Sequence, residues 1–266
     1  MKGIVLAGGL GTRFDPVTRV VNKHLLDVFG EPMIYFPLRS LAGAGVTDIV
    51  LVTGDHIPQF RRLLGNGSEF GIDLEYAFQQ DPEGGIADAI SKAEGLVAGE
   101  HVVVILGDNI FEEDLASFIG AFERQDKGAK ILLKRLPGEE AKRFGVAEVE
   151  DGRIVRIVEK PDDPPSDLVQ TGCYMYDDRL FDFIRTLTPS ARGELEVTDL
   201  NNIYIDEGTM TYDVLEGWWT DAGTPITKLR ASILVAGAKG LDLSPLIGEP
   251  DQARAVGGDA NHPPDP

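Results

Sequence analysis

The sequence predicts an α/β fold: a doubly wound, mostly parallel, right-handed sheet with an inserted hairpin-rich lobe. Three observations predict it. Short apolar runs alternate with helix-length segments through the first half of the chain, the pattern of parallel strands joined by crossover helices. The run VVVIL at 102–106 is apolar throughout, as a strand covered on both faces must be. Beyond residue 144 two strand-like runs flank Asp151-Gly152, a hairpin signal.

Taken in order, residues 2–6 read as a strand ending at glycines, and 32–44 as a helix stopped by Gly45. Strands follow over 48–53 and 74–78, with short helices over 58–64 and 86–93. After the apolar strand come a helix over 115–125 and a strand over 130–135. The hairpin arms are 145–149 and 153–159, and KPDDPPSD reads as a surface loop. A strand at 169–176 precedes helices near 179–187 and 197–206, a strand at 209–215 and a helix at 225–236. One domain is expected over 1–240. The stretch 241–266 is rich in Pro, Gly and Asp and reads as a disordered tail.

Charge narrows the function. Among 266 residues, 25 Lys and Arg face 44 Asp and Glu, for a net charge of −19. Such a surface repels nucleic acid and anionic membrane, so neither is an expected partner. No apolar run reaches the ~18 residues of a membrane span. The lone Cys173 cannot form an internal disulfide and suits a reducing compartment, so a cytoplasmic location is expected. If the substrates are phosphates, cations must be concentrated in one cleft, with a metal.

The opening MKGIVLAGGLGTRFDPVTRVVNKHLL suggests such a cleft. A dinucleotide fingerprint fails because Phe14 stands where the third glycine belongs, and a P-loop fails because Arg13, not Lys, follows the loop. Protein-kinase and esterase motifs are missing too. What remains is G-G-x-G-T-R and a later Lys. Glycines let backbone N–H groups reach phosphate oxygens, Arg13 can grip phosphate bidentately, and Lys23 can act as a movable charge. The alternative is an ordinary strand-to-helix turn. Asp108 follows the apolar strand at the edge where open α/β sheets bind ligands, and can hold Mg²⁺ beside a triphosphate or simply cap the next segment. Asp221 in WWTDAGT is a further carboxylate, or turn chemistry. Glu159 and Lys160 could meet sugar hydroxyls and phosphate, or form a surface ion pair.

In combination these segments resemble the sugar-phosphate nucleotidylyltransferase family over about residues 1–238. The motifs that carry the likeness include KGIVLAGGLGTRFDPVT, NKHLL, GGIADA, VVILGDNIF, RFGVAEV, VEKP, TGCYMYD, PSARGELEVTDLNNIY and WWTDAGT. The resemblance implies a Rossmann-like nucleotidyltransferase fold whose inserted lobe binds sugar. It implies transfer of a nucleotidyl group from a nucleoside triphosphate, dTTP first, to a sugar 1-phosphate, glucose 1-phosphate first. Uridylyl or cytidylyl transfer is the alternative, and a non-catalytic nucleotide-sugar binder a distant one.

By the same resemblance Gly8, Gly9, Gly11, Thr12 and Arg13 would bind nucleotide phosphates, with Lys23. Gln80, in preference to Gln79, would read the base beside Gly85. Asp108 and Asp221 would hold Mg²⁺. Asn109, Gly145, Glu159, Lys160, Gln170 and Gly172 would lie near the sugar phosphate, and Arg13, Lys23, Asp108, Lys160 and Asp221 would be catalytic. A homo-oligomer, dimer or tetramer, is expected. Asp15, Asp27 and Asp88 depart from the family pattern, and Asp15 and Asp88 fall near the expected nucleotide pocket.

Overall fold

The computed structural model describes residues 1–243 and 245. The expected disordered tail therefore lies, apart from its first few residues, outside the described residues. Strand β1 (Lys2–Leu6) leads through short 3-10 turns to a ribbon, β2 (Asp27–Val28) and β3 (Glu31–Pro32), and then α1 (Tyr35–Gly43). Next come β4 (Asp48–Thr53), α2 (Ile57–Leu64), β5 (Asp73–Phe78), α3 (Ile86–Ser91) and α4 (Glu94–Val97). They are followed by β6 (Val102–Leu106), β7 (Asn109–Phe111), α5 (Ala116–Glu123), β8 (Ala129–Arg135), β9 (Gly145–Glu150) and β10 (Arg153–Glu159). The remaining elements are β11 (Leu168–Tyr176), α6 (Leu180–Ile184), α7 (Val197–Asp206), β12 (Met210–Val214), β13 (Trp219–Asp221) and α8 (Pro225–Ala238).

The centre of the sheet is parallel, in the order β5-β4-β1-β6. Beyond β6, the long β11 runs antiparallel, and β8 pairs with it. The β9–β10 hairpin joins the sheet through Val169 opposite Val146. The doubly wound reading holds, with the hairpin built into one end of the sheet.

Side-chain alternation explains the two covered faces. Along β1, Ile4 and Leu6 enter a core shared with Val104, Tyr176 and Leu200, while Val5 and Ala7 enter one shared with Ile34, Leu51 and Phe60. Each fully buried Val, Leu or Ile of this kind contributes about 1.5–3 kcal/mol. The expected helix at 32–44 starts later, because Pro32 lies in the ribbon. That at 86–93 ends at Ser91, and a separate turn of helix begins at Glu94.

A buried carboxylate ties the far end of β11 to its neighbours. Asp177 accepts hydrogen bonds from Gly128 N (2.6 Å), Tyr204 Oη (2.9 Å) and Arg179 Nη2 (2.8 Å). Burial pushes this carboxyl up, but its bonds from Arg179, Gly128 and Tyr204 prevail and hold it below the usual range. Asp177→Ala removes the acceptor of Gly128 N and Tyr204 Oη, while the partly exposed Arg179 keeps Glu207, and is expected to cost about 2–3 kcal/mol at neutral pH, read from urea unfolding midpoints. A carboxyl lowered in the folded state stabilises above its unfolded pKa, and that stabilisation fades as pH falls through the folded one. The gap between wild type and variant should therefore narrow in acid.

Candidate active site

The site grows from the carboxyl ends of β1 and β6, paired in parallel with Leu6 opposite Leu106. After β1 the chain turns at Gly11, whose φ of +65° suits glycine. A Cβ there would also lie 3.0 Å from Thr18 Cγ2 and 3.2 Å from Lys23 Cβ. Lys23 opens a 3-10 turn capped by Asn22, whose Oδ1 accepts from His24 N and whose Nδ2 donates to Ala7 O (2.9 Å). The cap fixes the lysine beside the end of β1. Its Nζ lies 2.6 Å from Asp108 Oδ2.

Asp108 is 9% exposed. Burial pushes its carboxyl up, yet the Lys23 ammonium outweighs that and, with its Asn109 hydrogen bond, holds it well below the usual range. His24, fully buried, is pushed down to about 3 by burial and Lys23. It therefore stays neutral and adds no charge.

Asp221 reaches the same place by another route. Strands β7 and β13 pair antiparallel with Asp221 opposite Asn109, and Ala222 N donates to Asp108 O at 2.7 Å. Thr224 then caps α8 in a reciprocal pair with Thr227, fixing where the ribbon ends. The point where a Gly223 Cβ would stand is 3.2 Å from Asp108 Oδ2, 3.3 Å from Asp221 Oδ2 and 3.9 Å from Arg13 Nη1. Arg13 itself is exposed and lines neither of the two main cavities. Burial and the Asp108 charge push Asp221 up to about 6, partly offset by Arg143, Lys23 and Arg13. Asp108 has its counter-charge in Lys23, whereas Asp221, facing the Asp108 charge, is the carboxylate left short of positive charge.

Two cavities meet there. The larger, about 500 Å³, is lined by Gly8, Gly9, Gly11, Thr12, Lys23 and Gly85, among others. The smaller, about 160 Å³, is lined by Asn109, Gly145, Glu159, Lys160, Gln170 and Gly172, with Asp221. Asp108 and Arg192 line both. The expected phosphate-loop residues and the expected sugar-side residues thus divide between adjoining spaces.

Several predicted residues have duties beyond lining. Asn109 Oδ1 accepts from Gly172 N (2.9 Å) and Trp219 Nε1 (2.7 Å), and its Nδ2 donates to Asp108 Oδ1 (2.9 Å). It orients Asp108 and pins β11 to the ribbon. Gln170 donates to Thr198 Oγ1 (2.9 Å), which donates to Glu159 Oε2 (2.6 Å). Lys160 has a left-handed φ of +43° and lies 3.1 Å from Glu159 Oε1, strain that such a residue keeps only when its surroundings impose it.

Of the two glutamines weighed for the base, Gln79 is the better placed. Gln79 is buried and lines the large cavity, whereas Gln80 is exposed and borders only an adjoining space of about 110 Å³ that Gln79, Gly8 and Gly9 also line. The chain leaves β5 after Phe78 and bends at Gln80, so the two neighbouring side chains meet different surroundings. Geometry favours Gln79. Asp15 lines neither main cavity and pairs on the surface with Arg19 at 2.6 Å.

Two cations escaped the sequence reading. Arg143 Nη2 lies 3.2 Å from Asp221 Oδ2, and Arg192 Nη2 donates to Glu196 Oε1 (2.8 Å) and Glu159 Oε1 (3.3 Å). The motifs RFGVAEV and PSARGELEVTD contained them, but nothing local marks either Arg as inward-facing.

Among the described residues no three His, Cys, Asp or Glu side chains converge as a metal cluster. Two hard carboxylates that converge on one point, Asp221 pushed up by the Asp108 charge, fit Mg²⁺, which protein sites commonly hold through one or two carboxylates plus substrate phosphates.

The nucleotidyl transferase family profile matches residues 2–236. A glucose-1-phosphate thymidylyltransferase of Neisseria meningitidis is 44% identical over 229 residues, covering 84% of this chain and 78% of its own. One from Mycolicibacterium smegmatis is 42% identical over 240 residues, covering 88% and 82%. A solved Bacillus anthracis structure, assigned as a glucose-1-phosphate thymidylyltransferase and holding sucrose, is 45% identical with a TM-score of 0.84, covering 92% of this chain and 97% of that one. A UDP-glucose pyrophosphorylase structure superposes with a TM-score of 0.78 at 23% identity, a likeness of fold alone.

Proposed function

This chain belongs to the nucleotidyl transferase family, and from that premise we propose that it joins dTTP to glucose 1-phosphate, giving dTDP-glucose and pyrophosphate. The observation that carries the reading is the meeting of two cavities at Asp108, with Lys23 and Asp221 beside it. A triphosphate on one side and a sugar phosphate on the other would meet at that carboxylate.

The sugar phosphate oxygen attacks the α-phosphorus in line, opposite the leaving pyrophosphate. Repulsion between the reactants is the main barrier. Two unit charges 4 Å apart repel by about 4 kcal/mol at an effective dielectric of 20, and each reactant carries several. Lys23 and Arg13 take nucleotide phosphate charge, while Lys160, Arg143 and Arg192 surround the sugar phosphate. The Gly8–Gly11 turn offers backbone N–H groups, as an anion nest does. Asp108 and Asp221 would hold Mg²⁺, which supplies further neutralisation of the transferring phosphate. Such transfers depend on positioning and electrostatics, without a protein nucleophile.

Pyrophosphate release across dTTP, UTP, CTP, ATP and GTP, each with several sugar 1-phosphates, tests the reading. The highest kcat/KM is expected for dTTP with glucose 1-phosphate. A tenfold preference for another pair would replace the assignment. In the same assay Gln79→Ala should raise KM for dTTP about tenfold, the scale of one lost hydrogen bond to the base. Gln80→Ala should stay within about twofold.

A cytoplasmic location belongs to the same proposal, on the ground that a lone cysteine suits a reducing compartment; no described helix is long and apolar enough to cross a membrane. It works as a homo-oligomer. Ile226 (81% exposed), Leu229 (62%) and Ile233 (38%) form a bare stripe along α8, the kind of surface that contacts cover. Light scattering on eluted protein reads the assembly, and a monomer at working concentration would remove this part.

A further inference from the structure

We propose that Asp88, through its hydrogen bond to Gln79, turns the Gln79 amide so that its carbonyl faces the nucleotide cavity, selecting bases with a ring N–H and rejecting cytosine. The inference rests on Gln79 as the base-reading residue.

Three side chains form a relay with fixed polarity. Lys92 Nζ donates to Asp88 Oδ1 at 2.6 Å, and Gln79 Nε2 donates to Asp88 Oδ2 at 3.4 Å. An ammonium can only donate and a carboxylate can only accept, so Gln79 must present its NH₂ to Asp88. The pair is partly enclosed, with side chains 32% and 15% exposed for Lys92 and Asp88. Helix α3 sets Lys92 one turn after Asp88, and the carboxylate lies under the Gly84 turn, 2.6 Å from where a Cβ there would stand.

The other end of the amide is then determined. Gln79 Oε1 occupies the space over Gly8, 1.9 Å from where a Gly8 Cβ would stand. It has no hydrogen-bond donor among the described residues and is not sealed from solvent. Gly8 and Gln79 both line the large cavity, and also the space of about 110 Å³ that adjoins it. An open acceptor on the wall calls for a donor on the ligand. Thymine and uracil carry N3–H, whereas cytosine has a lone pair on N3. Placing two lone pairs face to face leaves both unsatisfied, which costs more than a simple loss of contact.

The relay makes an unusual prediction for Asp88→Asn. Lys92 still needs an acceptor and takes the Asn carbonyl, leaving the Asn NH₂ toward Gln79. Gln79 must then offer its carbonyl to position 88 and turn its NH₂ into the cavity, where cytosine N3 can accept. The test is titration calorimetry of dTTP, UTP and CTP on the full chain, the Asp88→Asn variant and an Asp88→Ala variant.

Wild type should bind dTTP and UTP more tightly than CTP. The ratio of CTP to dTTP dissociation constants should fall by about tenfold or more in Asp88→Asn, and toward one in Asp88→Ala, where the amide can rotate. Ratios within twofold of wild type in variants with unchanged unfolding midpoints would overturn the proposal, as would a wild type that binds CTP as well as dTTP. A variant that merely loosens the fold would weaken all three nucleotides alike, which also counts against it. Pyrophosphate release is measured on the same samples. Selective binding without turnover would refute the catalytic reading while the binding ratios still decide the role of Asp88.

Discussion

Asp108→Asn is expected to lower kcat/KM by about three decades, the upper end for removing one stabiliser of transition-state charge. The substitution keeps the size of the side chain and its bond from Asn109, but removes the charge that Lys23 and a cation would share. Burial magnifies the loss, because charges in a dry site interact more strongly than in water. Initial rates at increasing Mg²⁺ test the assignment. The wild-type rate should rise and saturate, and the variant should remain low at every concentration. A decrease of less than tenfold, or a variant rescued fully by extra Mg²⁺, would remove Asp108 from the reaction.

Lys23→Ala should lower kcat/KM by two to three decades. Lys23 sits 17% exposed, aligned by the Asn22 cap rather than free to drift. If it serves the transferring phosphate, the loss appears mainly in kcat; if it only binds ground-state triphosphate, in KM. Steady-state kinetics separate the two, and near-normal turnover in the folded variant would exclude the lysine. The double variant with Asp108→Asn should lose less than the product of the single losses, since the two side chains are in contact.

Legibility of the sequence followed the length scale of each signal. β1, β4, β6 and β11 carry enough consecutive apolar residues to be read directly, and Leu106 before Asp108 placed that carboxylate at the sheet edge. The ribbon elements β2, β3, β7 and β13 are two or three residues long, shorter than any period that could mark them. Asp221 could thus be named from a motif, but its approach to Asp108 could not be derived from spacing. Lys23, Arg13, Asp108 and Asp221 do come together, with Arg13 further out than the others. Arg143 and Arg192 stayed hidden because their inward orientation depends on tertiary partners: Arg143 stacks over Phe144 at 5.3 Å, and Phe144 packs edge-on against Trp219. Gln79 and Gln80 differ by one step where the chain bends, and only the surroundings each meets decide between them.

The pairing of β7 with β13 bears on how the protein comes into being. Residues 109–111 zip against 219–221, so a nascent chain still lacks one of its two carboxylates when most of the sheet has already emerged from the ribosome. On the proposed roles, truncation anywhere before that late strand is expected to yield an inert product, because it removes Asp221. Nor do the two adjoining cavities fall to separate stretches of gene: the seam between them is stitched by chain from both halves of the sequence.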